Sequence, residues 1–319
     1  MSEERKDVIR IEHVTKDYGQ NRGNFDISLS IKEGRTLGLA GENGAGKTTL
    51  IRQIMGFIKS DAGKIKIYGM DAYKDSSFTK PYIGYVPGEI NFPDIRTGNE
   101  FLHNYGRSLG MSDSEFDYAD SVIKRMQLDV RAYPKRMSKG MKQKTAIVAA
   151  FMRKPDILIL DEPSIGLDPL MREELLELIL EQKKRGATIL MSSNAIEELE
   201  RVCDDVALIS KGRIIDIASV DAVKNRPLRD YKIEFLNPGD YVDFKTKKYN
   251  IIRDQSKYHQ LTLRVNKKDI PRLLDDLRGT KLKFFSEVPY TLGTAFEENR
   301  KRRAKEAEEA KLAMQEARN

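Results

Sequence analysis

The chain has 319 residues, 39% hydrophobic and 33% charged, a balance that supports folded domains with true cores and excludes a disordered polyelectrolyte. No stretch approaches the roughly 20 consecutive apolar residues that cross a bilayer, and the polar start Met1-Ser2-Glu3-Glu4 is not that of a secretory signal. The net charge of +7 is uneven: from Asn225 onward there are 22 Lys+Arg against 15 Asp+Glu, leaving 34 of each before it. A basic surface of that kind suits nucleic acid or anionic lipid, or is simply a set of solvated lysines interleaved with acids. Cys203 is the single cysteine, so no internal disulfide forms, and a cytoplasmic protein with a quiet thiol is expected.

Two alternating segments at 8–14 and 25–31 predict half-buried strands, and 36–40 is a compact apolar strand running into a glycine-rich turn. Residues 50–58 have helical spacing, 64–68 and 83–86 are further strands, and 97–127 predicts a helical insert in the sheet. The apolar run 157–160 reads as a buried strand. An amphipathic helix follows over 170–185 with Gly186 at its end, then a strand, helix and strand at 187–191, 195–202 and 206–209. Such alternation predicts an α/β fold with a largely parallel sheet covered by helices. Composition changes near 224–227; beyond it 231–235 and 260–265 predict strands, 270–277 a helix, and 294–319 a long, charged, solvated helix.

Gly41-Glu42-Asn43-Gly44-Ala45-Gly46-Lys47-Thr48 fits G-x-x-x-x-G-K-[ST] in full. Backbone N–H groups must wrap phosphate oxygens closely, and side chains at Gly41, Gly44 and Gly46 would obstruct them. The loop runs from strand to helix, so the helix N-terminus adds positive potential, Lys47 a full charge and the Thr48 hydroxyl a Mg²⁺ ligand, with Thr49 adjoining. Asp161 and Glu162 directly follow the buried strand: the first is placed to hold Mg²⁺, the second to polarise an attacking water.

With Met137-Ser138-Lys139-Gly140-Met141 before a helix, residues 8 to about 216 resemble an ATP-binding cassette (ABC) ATPase. The resemblance implies a P-loop NTPase core with N-terminal antiparallel strands and a helical subdomain at about 89–150. It implies that two subunits clamp ATP, with Ser138, Lys139, Gly140 and Met141 of one facing the γ-phosphate held by the other. Asp168 matches a loop that crosses the dimer interface, and Tyr18 falls where the family stacks an aromatic ring on adenine. Two positions depart from the family pattern. The switch histidine is Asn194, which donates a hydrogen bond but carries no charge, and slower hydrolysis is expected. The glutamine expected after strand 83–86 is Gly88, followed by Glu89, which is either a Mg²⁺ ligand or a solvated loop residue.

The expected domains are a nucleotide-binding domain at 1–224, a small α+β accessory domain at 225–293 and a charged helix at 294–319. That extension is similar to those of drug and antibiotic-peptide exporter ATPases. The reading is an ATP- and Mg²⁺-dependent subunit, in a homodimer or heterodimer, driving a separate ABC-2-type transmembrane permease from the inner face of the membrane. No nucleic-acid partner is expected. A soluble ABC ATPase acting on ribosome or nucleic acid, and a slow partner in a heterodimer, are the alternatives.

Overall fold

A computed structural model describes residues 5–316. Residues 1–4 and 317–319, the outer ends of the expected first domain and tail helix, lie outside the described residues. Contacts divide the chain between Ser219 and Val220 into two compact units.

The first unit opens with β1 (Asp7–Asp17), β2 (Gly23–Lys32), β3 (Thr36–Ala40) and α1 (Lys47–Ile54). After β4 (Ala62–Ile67), β5 (Met70–Asp71), α2 (Ser76–Thr79) and β6 (Ile83–Val86) come the insert helices α3 (Gly98–Ser108), α4 (Phe116–Arg125) and α5 (Lys139–Phe151). The unit closes with β7 (Ile157–Asp161), α6 (Pro169–Arg185), β8 (Thr188–Ser193), α7 (Ile196–Val202), β9 (Asp205–Ser210) and β10 (Arg213–Ser219). Two sheets result, in orders β2-β1-β4-β5 and β10-β9-β3-β8-β7-β6. The first is antiparallel; in the second, β6, β7, β8, β3 and β9 are parallel and β10 is an antiparallel edge. Every residue of β3, β7 and β8 is buried, as strands covered on both faces must be. Their carboxyl ends deliver the glycine loop, Asp161-Glu162 and Ser192–Asn194 to one edge.

Local chemistry fixes the flanking helices. Thr97, Ser138 and Asp168 cap α3, α5 and α6 through their side chains. Gly186, at φ 96°, ends α6 behind Lys183, Lys184 and Arg185, where cations complement the helix dipole. Residues 97–127, expected to be helical, form α3 and α4 joined through a 3₁₀ turn at 113–115. Cys203 is buried and burial pushes its thiol far up, so it stays protonated.

The second unit contains α8 (Val220–Lys224), β11 (Leu228–Phe235), α9 (Pro238–Lys245), β12 (Asn250–Gln255), β13 (Gln260–Asn266), α10 (Ile270–Asp276), β14 (Leu282–Val288) and α11 (Leu292–Glu316). Its antiparallel sheet has the order β12-β13-β11-β14. Tyr231, Ile233, Phe235, Leu261, Leu263 and Val265 alternate into a core with Tyr241, Phe244 and Leu273. The opposite face carries the Asp230–Arg264 pair, with both guanidinium contacts at 2.8 Å, so this unit has the α+β character its sequence predicted.

Candidate functional site

A cavity of about 340 Å³ opens over the glycine loop. It is lined by Asn43, Gly44, Ala45, Gly46, Lys47, Thr48 and Thr49, by Tyr18 and its hairpin neighbours, by the Lys211–Gly212 turn, and by Glu162. The N-terminus of α1 has no side-chain cap and no acidic residue in its first turn, unlike the capped starts of α3, α5 and α6. Its N–H groups are therefore left to an external anion.

The three glycines serve different ends. A Cβ on Gly41 would meet the Ile209 carbonyl at 2.5 Å, and one on Gly46 would meet Asn24 Nδ2 at 2.8 Å. At both, a side chain would also obstruct the protein's own packing. Gly44, at φ +79° with nothing within 4 Å of its Cβ position, is required by conformation.

Lys47 is 5% exposed, and its Nζ lies 3.0 Å from Glu162 Oε1 while donating to the Gly41 carbonyl at 2.6 Å and the Glu42 carbonyl at 3.2 Å. Glu42 is exposed and outside the cavity lining. Glu162 has φ 50°, in the left-handed region that a non-glycine residue enters only when its surroundings hold it. What holds it is Ser192: the Glu162 N–H donates to Ser192 Oγ at 2.9 Å, and that hydroxyl donates to Asp161 Oδ1 at 2.7 Å. The second oxygens, Asp161 Oδ2 and Glu162 Oε2, are buried without a hydrogen-bond partner. A buried acceptor left unpaired in this way fits a hard cation and its water, with the Thr48 hydroxyl in the first turn of α1 as a further oxygen donor. Tyr85 is also close enough to feel Asp161; burial first, then that charge, pushes its phenol up to about 12.

The remaining predicted residues lie as follows. Tyr18 is 53% exposed at the cavity rim, with Lys16 Nζ 5.5 Å from its ring centroid. Glu89 lies outside the cavity lining, with its carboxylate 82% exposed and 3.5 Å from Arg52 Nη2. To serve a metal it must leave that contact. Gly88 instead approaches the carboxylate: a Cβ there would sit 2.9 Å from Asp161 Oδ2. Asn194 is exposed just past β8 and outside the cavity lining.

Ser138 and Lys139 are exposed, and Ser138 Oγ accepts the Met141 N–H at 3.2 Å as the cap of α5. Gly140 has no room for a side chain, because the Gly166 carbonyl lies 2.7 Å from its Cβ position. Gln143 Nε2 donates to the Pro163 carbonyl at 2.8 Å, so the start of α5 is tied to the loop after Glu162. Asp168 accepts the Met171 N–H at 3.0 Å, capping α6.

Sequence reasoning missed a clasp behind the loop. Buried Asn24 donates from Nδ2 to the Gly46 carbonyl at 3.1 Å. The Gly212 N–H donates to the Ala45 carbonyl and the Phe25 N–H to the Gly212 carbonyl, both at 2.8 Å. A Gly-to-Gly approach allows it, since a Cβ on Gly212 would stand 2.3 Å from the Gly23 carbonyl. The only signal in the sequence was a glycine beside a strand end, which fits any turn.

A glycine loop and a carboxylate pair at the carboxyl ends of parallel strands define a nucleoside-triphosphatase of the phosphate-loop class. The comparisons narrow this. The model for ABC transporters matches residues 25–165. The linearmycin resistance ATP-binding protein LnrL of Bacillus subtilis is 36% identical over 66% of this chain and 69% of its own length. The bacitracin transport ATP-binding protein BcrA of Bacillus licheniformis is 30% identical over 86% of this chain and 92% of its own. A solved ATP-binding subunit of an ABC transporter superposes with TM-score 0.63 at 30% identity, covering 69% of this chain and 92% of that one. A dimeric bacterial ABC transporter cassette shares the fold at TM-score 0.60 and 23% identity, over 66% of this chain and 98% of that chain. The chain belongs to the ABC transporter family, as one of its ATP-binding, ATP-hydrolysing subunits.

Proposed function

We propose that the protein is the ATPase of an exporter, that two cassettes close on two ATP molecules, and that closure drives a separate ABC-2-type membrane permease. The observation that carries the reading is the cavity in which Lys47 and Glu162 meet at 3.0 Å beside the uncapped start of α1. Relatives named for linearmycin resistance and bacitracin transport favour export over a ribosomal or nucleic-acid role.

On this reading the triphosphate competes with Glu162 for the Lys47 ammonium, and Glu162, so released, takes the proton of the attacking water. Tyr18 stacks on the base, and Gly44, Ala45, Gly46, Thr48 and Thr49 hold phosphate oxygens through the main chain. Mg²⁺, held by Asp161 and Thr48, supplies positive charge to the β- and γ-phosphates when bound. Ser138 and Gly140, with Lys139 and Met141 beside them, meet the γ-phosphate of the opposing subunit across the Asp168 loop. Asn194 donates without charge to the γ-phosphate held by its own subunit's glycine loop, so turnover is slower than with histidine.

An apolar groove of about 360 Å³ between the parallel sheet and the helical insert suits a permease's cytoplasmic helix. Phe57, Tyr85, Phe92, Phe101 and Tyr105 line it, and Phe57 is 50% exposed. No described helix is long and apolar enough to cross a membrane; docking in this groove is what would hold the chain on the inner face. Retrieval of the Glu162→Gln protein from detergent-solubilised membranes with ATP tests the reading. A polytopic membrane partner and a nucleotide-dependent dimer are expected; ribosomal proteins or nucleic acid in their place would overturn it.

A further inference from the structure

We propose that Glu198 is a positioning residue for hydrolysis, whose buried carboxylate couples the loop carrying Glu162 to the strand end carrying Asn194. The proposal rests on reading Glu162 as the general base. Glu198 lies on the first turns of α7 and is 6% exposed, whereas its neighbour Glu197 faces solvent. Its Oε2 accepts two hydroxyls, from Ser164 Oγ at 2.8 Å and from Ser193 Oγ at 3.1 Å. Its Oε1 lies 3.3 Å from Arg172 Nε on α6.

The partners are what give the contact its meaning. Ser164 follows Glu162 by two positions, and Ser193 immediately precedes Asn194. One carboxylate oxygen therefore joins the loops leaving two neighbouring parallel strands, β7 and β8, at the edge where Asp161 pairs with Ser192. Successive strand residues point to opposite faces. Ser192 turns to Asp161 and to the Glu162 N–H, while Ser193 turns to Glu198 and also accepts the Ala195 N–H at 3.0 Å. The end of β8 is thus gripped on both faces, once by each carboxylate cluster.

A buried carboxylate is a costly way to stabilise a helix, since an apolar residue of similar size would usually do as well. Hydrogen bonds to a charged acceptor are stronger than neutral ones. Here they hold the loop that passes from Glu162 to Asp168 in register with Asn194. A shift of either segment is transmitted to the other through a single side chain.

The test uses the full chain and five variants: Ser193→Ala, Ser164→Ala, the double combination of these two, Glu198→Gln and, as reference, Glu162→Gln. Steady-state hydrolysis, KM for ATP with Mg²⁺, equilibrium binding of a fluorescent ATP analogue and the thermal midpoint are measured for each. Ser193→Ala and Glu198→Gln should lower kcat by about tenfold while KM and analogue affinity stay within about twofold, the pattern of a group acting on the chemical step. The Ser164→Ala/Ser193→Ala double variant should lose less than the product of the single losses, because both hydroxyls act through one oxygen. Parental kcat in Ser193→Ala, or losses of kcat that follow the thermal midpoint across the set, would overturn the proposal. Should Glu198→Gln fail to fold, Ser193→Ala removes one hydroxyl and decides alone. If Glu162→Gln hydrolyses at the parental rate, the base assignment falls and the coupling with it. If Glu162→Gln is inactive while Ser193→Ala and Glu198→Gln are unimpaired, only the coupling falls.

Discussion

The two ends of the candidate site are built in different ways. Around the glycine loop the holding is largely main chain: uncapped N–H groups at α1, carbonyls facing Lys47, and glycines packed too tightly for a Cβ. At the end of β8 the holding is side chain on side chain: Ser192 on Asp161, and Ser193 and Ser164 on Glu198. Main-chain sites tolerate changes of side chain because their donors are present whatever the sequence, whereas a side-chain network loses a bond with each substitution. The difference separates two properties. On the proposed function, binding ATP should depend on the first end and the rate of hydrolysis on the second.

Four substitutions press on that separation, the largest effect first. Glu162→Gln should lower hydrolysis by about 10²–10⁴-fold with ATP affinity retained, the loss expected for a positioned base, read by phosphate release and nucleotide titration. A parallel loss of affinity would merge the two ends. Lys47→Ala removes a charged donor and should weaken ATP binding by roughly 100-fold, a free-energy loss near 3 kcal/mol. Gly212→Ala, on the cavity wall behind the loop, forces a Cβ within 2.3 Å of the Gly23 carbonyl at a φ of +72°. A loss of about 2 kcal/mol of stability by denaturant titration, together with weaker ATP binding, would show the clasp supporting the loop from behind. Gly44→Ala should cost less, about 1 kcal/mol, since only conformation opposes it.

How much of this was legible in the sequence follows the same division. The phosphate loop and the buried strand before Asp161 are contiguous, and local pattern finds contiguous features. β10 escaped because Arg213 and Asp216 interrupt its apolar residues, and it is an edge strand. β12 and β14 escaped for the same reason, being the outer, mostly exposed strands of their sheet. Asn24, Ser192 and Glu198 bond across 22, 31 and 34 residues of sequence, distances at which no local pattern signals a partner. Gly88 reads in the sequence as the loss of a ligand; that its Cβ position falls 2.9 Å from Asp161 Oδ2 was visible only in three dimensions. Unaided sequence also could not separate Glu89 the ligand from Glu89 the surface residue, since that depends on Arg52.

The one substitution expected to raise activity bears most directly on the central claim, that the grip on phosphate is complete while the rate is held down at residue 194. Asn194→His places a chargeable donor at the switch position, where one well-placed donor is worth about 2.7–4 kcal/mol but Asn already supplies part of it. Single-turnover hydrolysis at saturating ATP, measured beside ATP affinity, should show a rate about tenfold higher with affinity unchanged. An unchanged rate, or a gain that appears only as tighter binding, would contradict the account.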